Sequence, residues 1–458
     1  MRDHVMRILA ERIQERLALE HGTLFGQGRR RWSLIYPSPY AVGMSSLGFQ
    51  TVYRLLNALP DTVAERAFLP EADLPERAPL WTYESGRPAA DAPVVAFSVA
   101  YELELMGVFE CLRRLGVAAL SPARQERDPI VVMGGPLTSV NPRPLGPFAD
   151  LIVVGEAEAV LAPLTDALFG EGSRAQRIAR AGALPGVWLP AQVAEPPAPL
   201  EVVDACLPAF ATIWTPASAL ANMFLVEAER GCARGCAFCV MRRQAGRGMR
   251  CVPAERVLQT IPNAAPRVGL VGAAVSDHPD LVAIVRAIVD AGQEVGLSSL
   301  RADRLSSELV ALLVKGGNRT LTVAADGISE RLRTDLSKRI EARHLHETAR
   351  LAAEFGVPQL KLYAMVGVPG ETPADVAEFV TLCRELRTRL GPLQRLTVGV
   401  SVFVPKPRTP LVDAAFVGIK AAEAQLASLK RQLRGIAELS TGGGRQAWLE
   451  GRLAHGNQ

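Results

Sequence analysis

The 458-residue chain is 48% hydrophobic and 21% charged, an ordinary globular balance with enough length to bury at least one large core. Its formal net charge of +4 is too small to point to a polyanionic partner. No apolar run approaches the ~18 residues of a membrane span, the first 20 residues carry charges throughout as no signal peptide does, and no G-x4-G-K-[ST] phosphate loop occurs. Length predicts two domains. Seven cysteines, three of them clustered, predict a reducing compartment and metal binding rather than disulfides, and so the cytoplasm. No membrane insertion is expected, and no motif favours a nucleic-acid partner.

Residues 1–20 predict an amphipathic helix with Val5, Ile8, Leu9, Ile13 and Leu17 on one face. A strand is expected at 32–36, stopped by Pro37-Ser38-Pro39-Tyr40, then a helix at 45–57. Short apolar runs follow at 94–99, 117–120, 130–133 and 151–154, with helical segments at 102–115 and 157–168. Short apolar strands alternating with helices predict a mostly parallel, doubly wound sheet. Ligands bind such sheets beyond the carboxyl ends of the strands. Two of those ends carry glycines: Met133-Gly134-Gly135-Pro136 and Val154-Gly155-Glu156-Ala157-Glu158. Gly-Gly-Pro is also a common strand-ending turn, so a structural reading stands beside a ligand-binding one. Residues 184–190 read as a small hairpin or covering strand. Pro196-Pro197-Ala198-Pro199 reads as a stiff linker, which puts the domain boundary near residue 205.

The second half repeats a β/α pattern. Strands are expected at 223–227, 268–272, 295–299, 321–324, 360–366 and 396–403. Helices are expected at 253–261, 279–291, 306–315, 330–337, 341–355 and 373–390. Six such units are too few for the complete eight-fold barrel. A further helix is expected at 421–439.

After the first of these strands comes Gly231-Cys232-Ala233-Arg234-Gly235-Cys236-Ala237-Phe238-Cys239, a C-x3-C-x2-C pattern. Glycines let such a loop wrap tightly. A zinc finger needs a second C-x2-C or H-x3-5-H pair, and Cys111, Cys206, Cys251 and Cys383 form none. Thiolates usually cap all four irons of a [4Fe–4S] cubane, so three local cysteines leave one iron open to a non-protein ligand. The pattern, with an aromatic before the third cysteine, resembles the signature of the radical S-adenosylmethionine (SAM) superfamily.

That resemblance implies a fold and a chemistry. The fold is a partial (β/α)6 barrel at 205–415, preceded by an α/β domain at 1–204 and followed by a helical extension at 416–458. The Gly-Gly-Pro and Gly155-Glu156 turns resemble those of cobalamin-binding-like domains fused to radical SAM enzymes. Gly134, Gly135 and Gly155 are then candidate contacts to a candidate cobalamin. The Asp-x-His-x-x-Gly loop that ligates cobalt is absent, since only His4 and His21 lie in this region. Cys232, Cys236 and Cys239 would hold the [4Fe–4S] cluster, with Phe238 a candidate SAM contact. Ser276 and Asp277 occupy the place of the family's "GGE" segment, which contacts the methionine amine of SAM. Ser276 or Asp277 also suits a helix N-cap before Pro279. Ser299 and Arg301 resemble contacts to the SAM ribose and carboxylate, and Asp326 stands where relatives carry a glutamate. Gly367-Val368-Pro369-Gly370-Glu371-Thr372 resembles the adenine-facing segment, with Gly367 and Glu371 as its candidates, although a glutamate at a helix start is favoured by the dipole alone. Pro405-Lys406-Pro407-Arg408-Thr409-Pro410 resembles a "P-K-P-x-T-P" segment shared with methylthiotransferases.

The implied chemistry is reductive cleavage of SAM by one electron from a flavodoxin- or ferredoxin-type reductant. A 5′-deoxyadenosyl radical then takes hydrogen from a substrate the sequence does not identify. Methyl transfer from cobalamin, sulfur insertion and rearrangement are the outcomes open to that substrate. A non-catalytic iron–sulfur carrier or sensor is the alternative of a different class. His278, His344 and His346 read as surface or capping residues, and Cys251 as a buried small hydrophobe rather than a fourth ligand. The basic run 242–250 reads as a solvated loop beside a charged cofactor.

Overall fold

The computed structural model describes residues 2–71, 73, 78–241 and 248–456. The chain forms two compact units, Met1–Leu225 with Gly456–Gln458, and Val226–His455. The division falls after Leu225, where the linker at 196–199 suggested a boundary near 205.

The first unit opens with the helix Arg2–Ala18, which sends Leu9 and Ile13 into the core beside Trp32 and Leu34, with Val5, Ile8 and Leu17 packed against it. Its sheet contains β1 (Arg30–Tyr36), β2 (Thr62–Phe68), β3 (Val94–Ser98), β4 (Ile130–Gly134), β5 (Leu151–Val153) and β6 (Val187–Trp188). The order is β2-β1-β3-β4-β5-β6; the first five are parallel and β6 is an antiparallel edge. This is a doubly wound order whose topological switch lies between β1 and β3.

Two sequence expectations fail here. β2 is hidden in the sequence by Glu65 and Arg66, yet all of its residues are buried. Arg66 is tolerated because Glu20 and Glu84 pair with it at 2.7 and 2.6 Å. Residues 117–120 form no strand. Gly116 ends the helix Leu105–Leu115 in the left-handed conformation, Val117 alone tucks inward, and Leu120 is exposed.

The second unit takes in β7 (Met223–Glu227, which begins at the division), β8 (Glu229–Arg230), β9 (Arg250–Cys251), β10 (Arg267–Val271), β11 (Glu294–Leu297), β12 (Thr320–Gly327), β13 (Gln359–Val366), β14 (Arg395–Val402) and β15 (Glu438–Thr441). Hydrogen bonding orders them as β11-β10-β7 and β12-β13-β14-β15, and a parallel bridge between Leu300 and Val323 links the two runs. The pairs β10/β11, β12/β13, β13/β14 and β14/β15 are parallel. β12 and β13 alternate buried with less buried residues along their length, as strands with one covered face do. The six strands expected from the sequence are all present. β15 is an addition, so the segment after residue 416 is not helical throughout. β8 and β9 form a short antiparallel hairpin stem under the cysteine loop.

Candidate functional site

The three cysteines lie on the loop that the β8–β9 stem projects. Gly231 starts it at φ +86°, and a Cβ there would sit 2.1 Å from the Gly248 carbonyl oxygen. Only glycine lets the two ends of the loop meet this closely. Within the loop, the Arg234 N–H donates to Cys232 Sγ at 3.3 Å and the Cys239 N–H donates to the Cys236 carbonyl at 3.1 Å. The Ala237 N–H donates to the Leu336 carbonyl at 2.9 Å, which ties the loop to the segment after β12. All three thiols are free and half-buried, as is Phe238. Burial pushes the Cys236 thiol up, opposed by the cations of Lys338 and Arg301. Burial pushes Cys239 up as well, opposed by a backbone hydrogen bond from Met241. Three thiols on one glycine-closed loop, with N–H donors and cations beside the sulfurs, are a donor set that suits an iron–sulfur cluster.

The charged residues that the sequence singled out at the strand ends are held by partners inside the chain. Beyond β10, Asp277 is partly buried, but Arg234 grips it through two hydrogen bonds at 2.8 and 2.5 Å and Arg304 adds a third at 3.0 Å, which together hold its carboxyl below the usual range. This bridge fastens the cysteine loop to the ends of β10 and β11. Ser276 Oγ accepts the Arg301 N–H at 3.1 Å. The Arg301 guanidinium is buried and grips Asp303 at 2.9 and 3.1 Å. Ser299 is exposed on the segment after β11. At the end of β12 a bulge at Ala324/Asp326 puts Asp326 at φ +60°, and its carboxylate meets Lys338 at 2.7 Å. Bulges of this kind re-aim side chains and cluster next to active sites. After β13, Gly367 takes φ +74° with Val417 against the position a Cβ would occupy, at 2.8 Å. Glu371 folds back to accept the Gly367 N–H at 2.8 Å and Gln425 Nε2 at 3.0 Å, so it closes its own loop. Lys406 of the segment after β14 pairs with Glu450 at 2.6 Å.

The sequence reading missed one residue in this neighbourhood. Glu229, in the stem of the cysteine loop, is 1% exposed. One carboxylate oxygen accepts the Ala274 N–H at 2.5 Å; the other has no partner among the described residues. Burial, reinforced by Glu227 and Asp277, pushes its carboxyl up to about 7 despite the Ala274 hydrogen bond. An ionisable residue beside a cysteine cluster was the signal available.

Cys251 is exposed rather than buried as expected. His278 is buried, with Nε2 2.9 Å from the Val252 carbonyl and Nδ1 accepting the Asp280 N–H. His344 accepts the Glu341 N–H in a capping box. Residues 242–247 of the basic run lie outside the described residues; Arg250, at its end, is buried in β9.

In the first unit the glycines have structural neighbours. Gly135, at φ +106°, lies where a Cβ would be 2.5 Å from the Val99 carbonyl oxygen. Gly155, at φ +97°, is packed equally close against the backbone of Leu200, with a Cβ only 2.4 Å from its nitrogen. Gly134 has nothing nearer than 3.9 Å. His21 stacks on Trp214, with ring centroids 5.5 Å apart.

Residues 48–190 match the family described as radical SAM proteins, N-terminal, and residues 226–383 match the radical SAM superfamily. An uncharacterised protein of Methanocaldococcus jannaschii is 26% identical over 391 residues, covering 82% of this chain and 78% of its own. Among solved structures, the cobalamin-dependent S-adenosylmethionine radical enzyme OxsB, with aqua-cobalamin bound, superposes with a TM-score of 0.53 at 12% identity over 78% of this chain. This chain spans 52% of OxsB, and at that identity the likeness is one of fold. No helix among the described residues is long and apolar enough to cross a membrane. The superfamily consists of enzymes that use a [4Fe–4S] cluster and SAM, and with its N-terminal and core domains both matched, this chain belongs to the radical SAM superfamily.

Proposed function

We propose that the chain is an enzyme in which Cys232, Cys236 and Cys239 hold a [4Fe–4S] cluster and the loops after β10–β14 receive SAM. The observation that carries this reading is the cysteine loop, with three free, half-buried thiols closed by Gly231 on Gly248. With both groups bound and one electron supplied by a flavodoxin- or ferredoxin-type reductant, the family's chemistry generates a 5′-deoxyadenosyl radical that takes hydrogen from a substrate. The chain's residues orient and insulate. The Arg234 N–H donates a hydrogen bond to Cys232 Sγ, which favours negative charge on that sulfur, and Lys338 and Arg301 favour the thiolate of Cys236. The Asp277 bridge to Arg234 and Arg304 fixes the cysteine loop against two strand ends.

Methyl transfer dependent on cobalamin is the second reading, and the fold likeness to OxsB supports it. The residues of the first unit give it limited support. Gly135 and Gly155 are explained by their own backbone neighbours, and His21 is engaged with Trp214. A corrin bound to this sheet would take no histidine ligand from the strand ends. No step is assigned to it.

Anaerobic reconstitution followed by SAM and dithionite, with 5′-deoxyadenosine measured by mass spectrometry, tests the reading. Product from the wild type that disappears in Cys236→Ala is expected. Protein with a full cluster that binds no SAM would overturn it in favour of an electron carrier or sensor.

A further inference from the structure

Asp277, Arg301, Asp326 and Glu371 each have their bonding needs met within the chain. Glu229 does not. It is more deeply buried than any of them, at 1% exposed, and half of its carboxylate is unsatisfied among the described residues. A buried polar atom without a partner carries a full desolvation penalty. Such an atom in a native fold calls for an explanation, and completion by a ligand is one.

The surroundings are shaped to this carboxylate. Gly272 directly follows β10, where a Cβ would lie 2.2 Å from Glu229 Oε1, so any larger residue would displace it. Ala274, two residues on, supplies the N–H that fixes the same oxygen. Among the described residues, the titratable groups that bear most on Glu229 are Glu227 from β7, Cys251 from β9 and Asp277 beyond β10, all acidic or neutral. Asp277 is committed to Arg234 and Arg304. Among the described residues, nothing supplies this oxygen with a donor or a cation. Glu229 stands both on the stem of the cysteine loop and against the end of β10, the two segments assigned above to the cluster and to the methionine end of SAM.

We propose that Glu229 Oε2 accepts a hydrogen bond from the α-amino group of SAM. The acid at this site thus comes from the stem before the cysteine loop, rather than from the segment 272–277 beyond β10. The assignment rests on the radical SAM reading.

The test uses full-length, anaerobically reconstituted protein and measures dissociation constants by equilibrium dialysis. Wild type, Glu229→Gln and Glu229→Asp are compared for SAM and for the SAM analogue lacking the α-amino group, with iron content and the cluster's absorption checked in each. Gln keeps a carbonyl for the Ala274 N–H but turns an NH2 toward the ligand. SAM affinity is expected to fall about tenfold or more in Glu229→Gln, as loss of a charge-assisted bond implies, with affinity for the analogue unchanged. Glu229→Asp, which keeps the acceptor, is expected to recover part of the loss. Unchanged SAM affinity in Glu229→Gln, or equal loss of SAM and analogue at normal iron content, would overturn the assignment alone. Should Glu229→Gln fail to take up iron, equal affinity of the wild type for SAM and analogue would overturn it. A wild type with a full cluster and no SAM binding would instead overturn the functional reading beneath it.

Discussion

The strand ends of the two units carry similar-looking motifs but differ in the reactive groups that stand beside them. In the first unit, Gly135 and Gly155 are pressed against the backbone of Val99 and Leu200, and the buried charge of Arg66 is met by Glu20 and Glu84. In the second, three free thiols stand on one loop whose stem carries Glu229, a buried carboxylate with one oxygen unpartnered among the described residues; the first unit also holds such an oxygen, on Glu104 after β3, but without a cysteine loop beside it. A glycine-rich turn after a strand is thus weak evidence of a site when the chain fills its own space. Unsatisfied bonding capacity beside a reactive loop is stronger evidence.

The sharpest way to break the contrast is at the cysteines. Cys236→Ala is expected to reduce 5′-deoxyadenosine formation to background and to lower bound iron. Retained product would remove the loop from the chemistry.

Arg66→Ala leaves Glu20 and Glu84 buried without their counter-charge. It is expected to destabilise the first unit by about 3–5 kcal/mol, read by chemical denaturation. A loss of only a few tenths would show that the cluster is not the structural element its saturation implies.

Glu229 predicts a pH dependence of the opposite character. Its folded carboxyl is raised to about 7 from an ordinary 4.5, so the folded state holds its proton more tightly than the unfolded one. That contribution to stability is complete below about 4.5 and is lost as pH rises through about 7. The ligand-free wild type is therefore expected to lose stability relative to Glu229→Gln between pH 5 and 8, by on the order of 3 kcal/mol. Parallel stability profiles for the two proteins would show that this carboxylate is not strained.

Gly135→Ala is the smallest effect, about 1–3 kcal/mol of destabilisation from backbone strain at φ +106° and crowding at Val99. A variant of normal stability with impaired cobalamin binding would instead make Gly135 part of a ligand site, and would erase the distinction between the two sets of strand ends.

Elements whose burial matches their hydrophobicity were legible in the sequence. The helix at the N-terminus and the strands β4 and β13 are apolar where they are buried, and β1 and β14 depart from this only at Ser33 and Thr397. β2 was illegible because Glu65 and Arg66 are buried through pairing, which residue-by-residue polarity does not register. β15, Glu-Leu-Ser-Thr, is largely exposed and carries no hydrophobic period. The cysteine spacing is a local signal and was read at once. The partners of Asp277, Arg301 and Asp326 were not, because Arg304, Asp303 and Lys338 acquire their meaning only from tertiary neighbours. The same holds for Glu229, whose isolation depends on Ala274, 45 residues away.

Electron paramagnetic resonance of the reconstituted, dithionite-reduced protein, recorded with and without SAM, asks whether three cysteines leave one iron open to SAM. A reduced [4Fe–4S] signal whose g-values shift on adding SAM, and which is lost in Cys236→Ala, is the expected result. A reduced cluster whose spectrum is indifferent to saturating SAM would contradict an open iron at this loop.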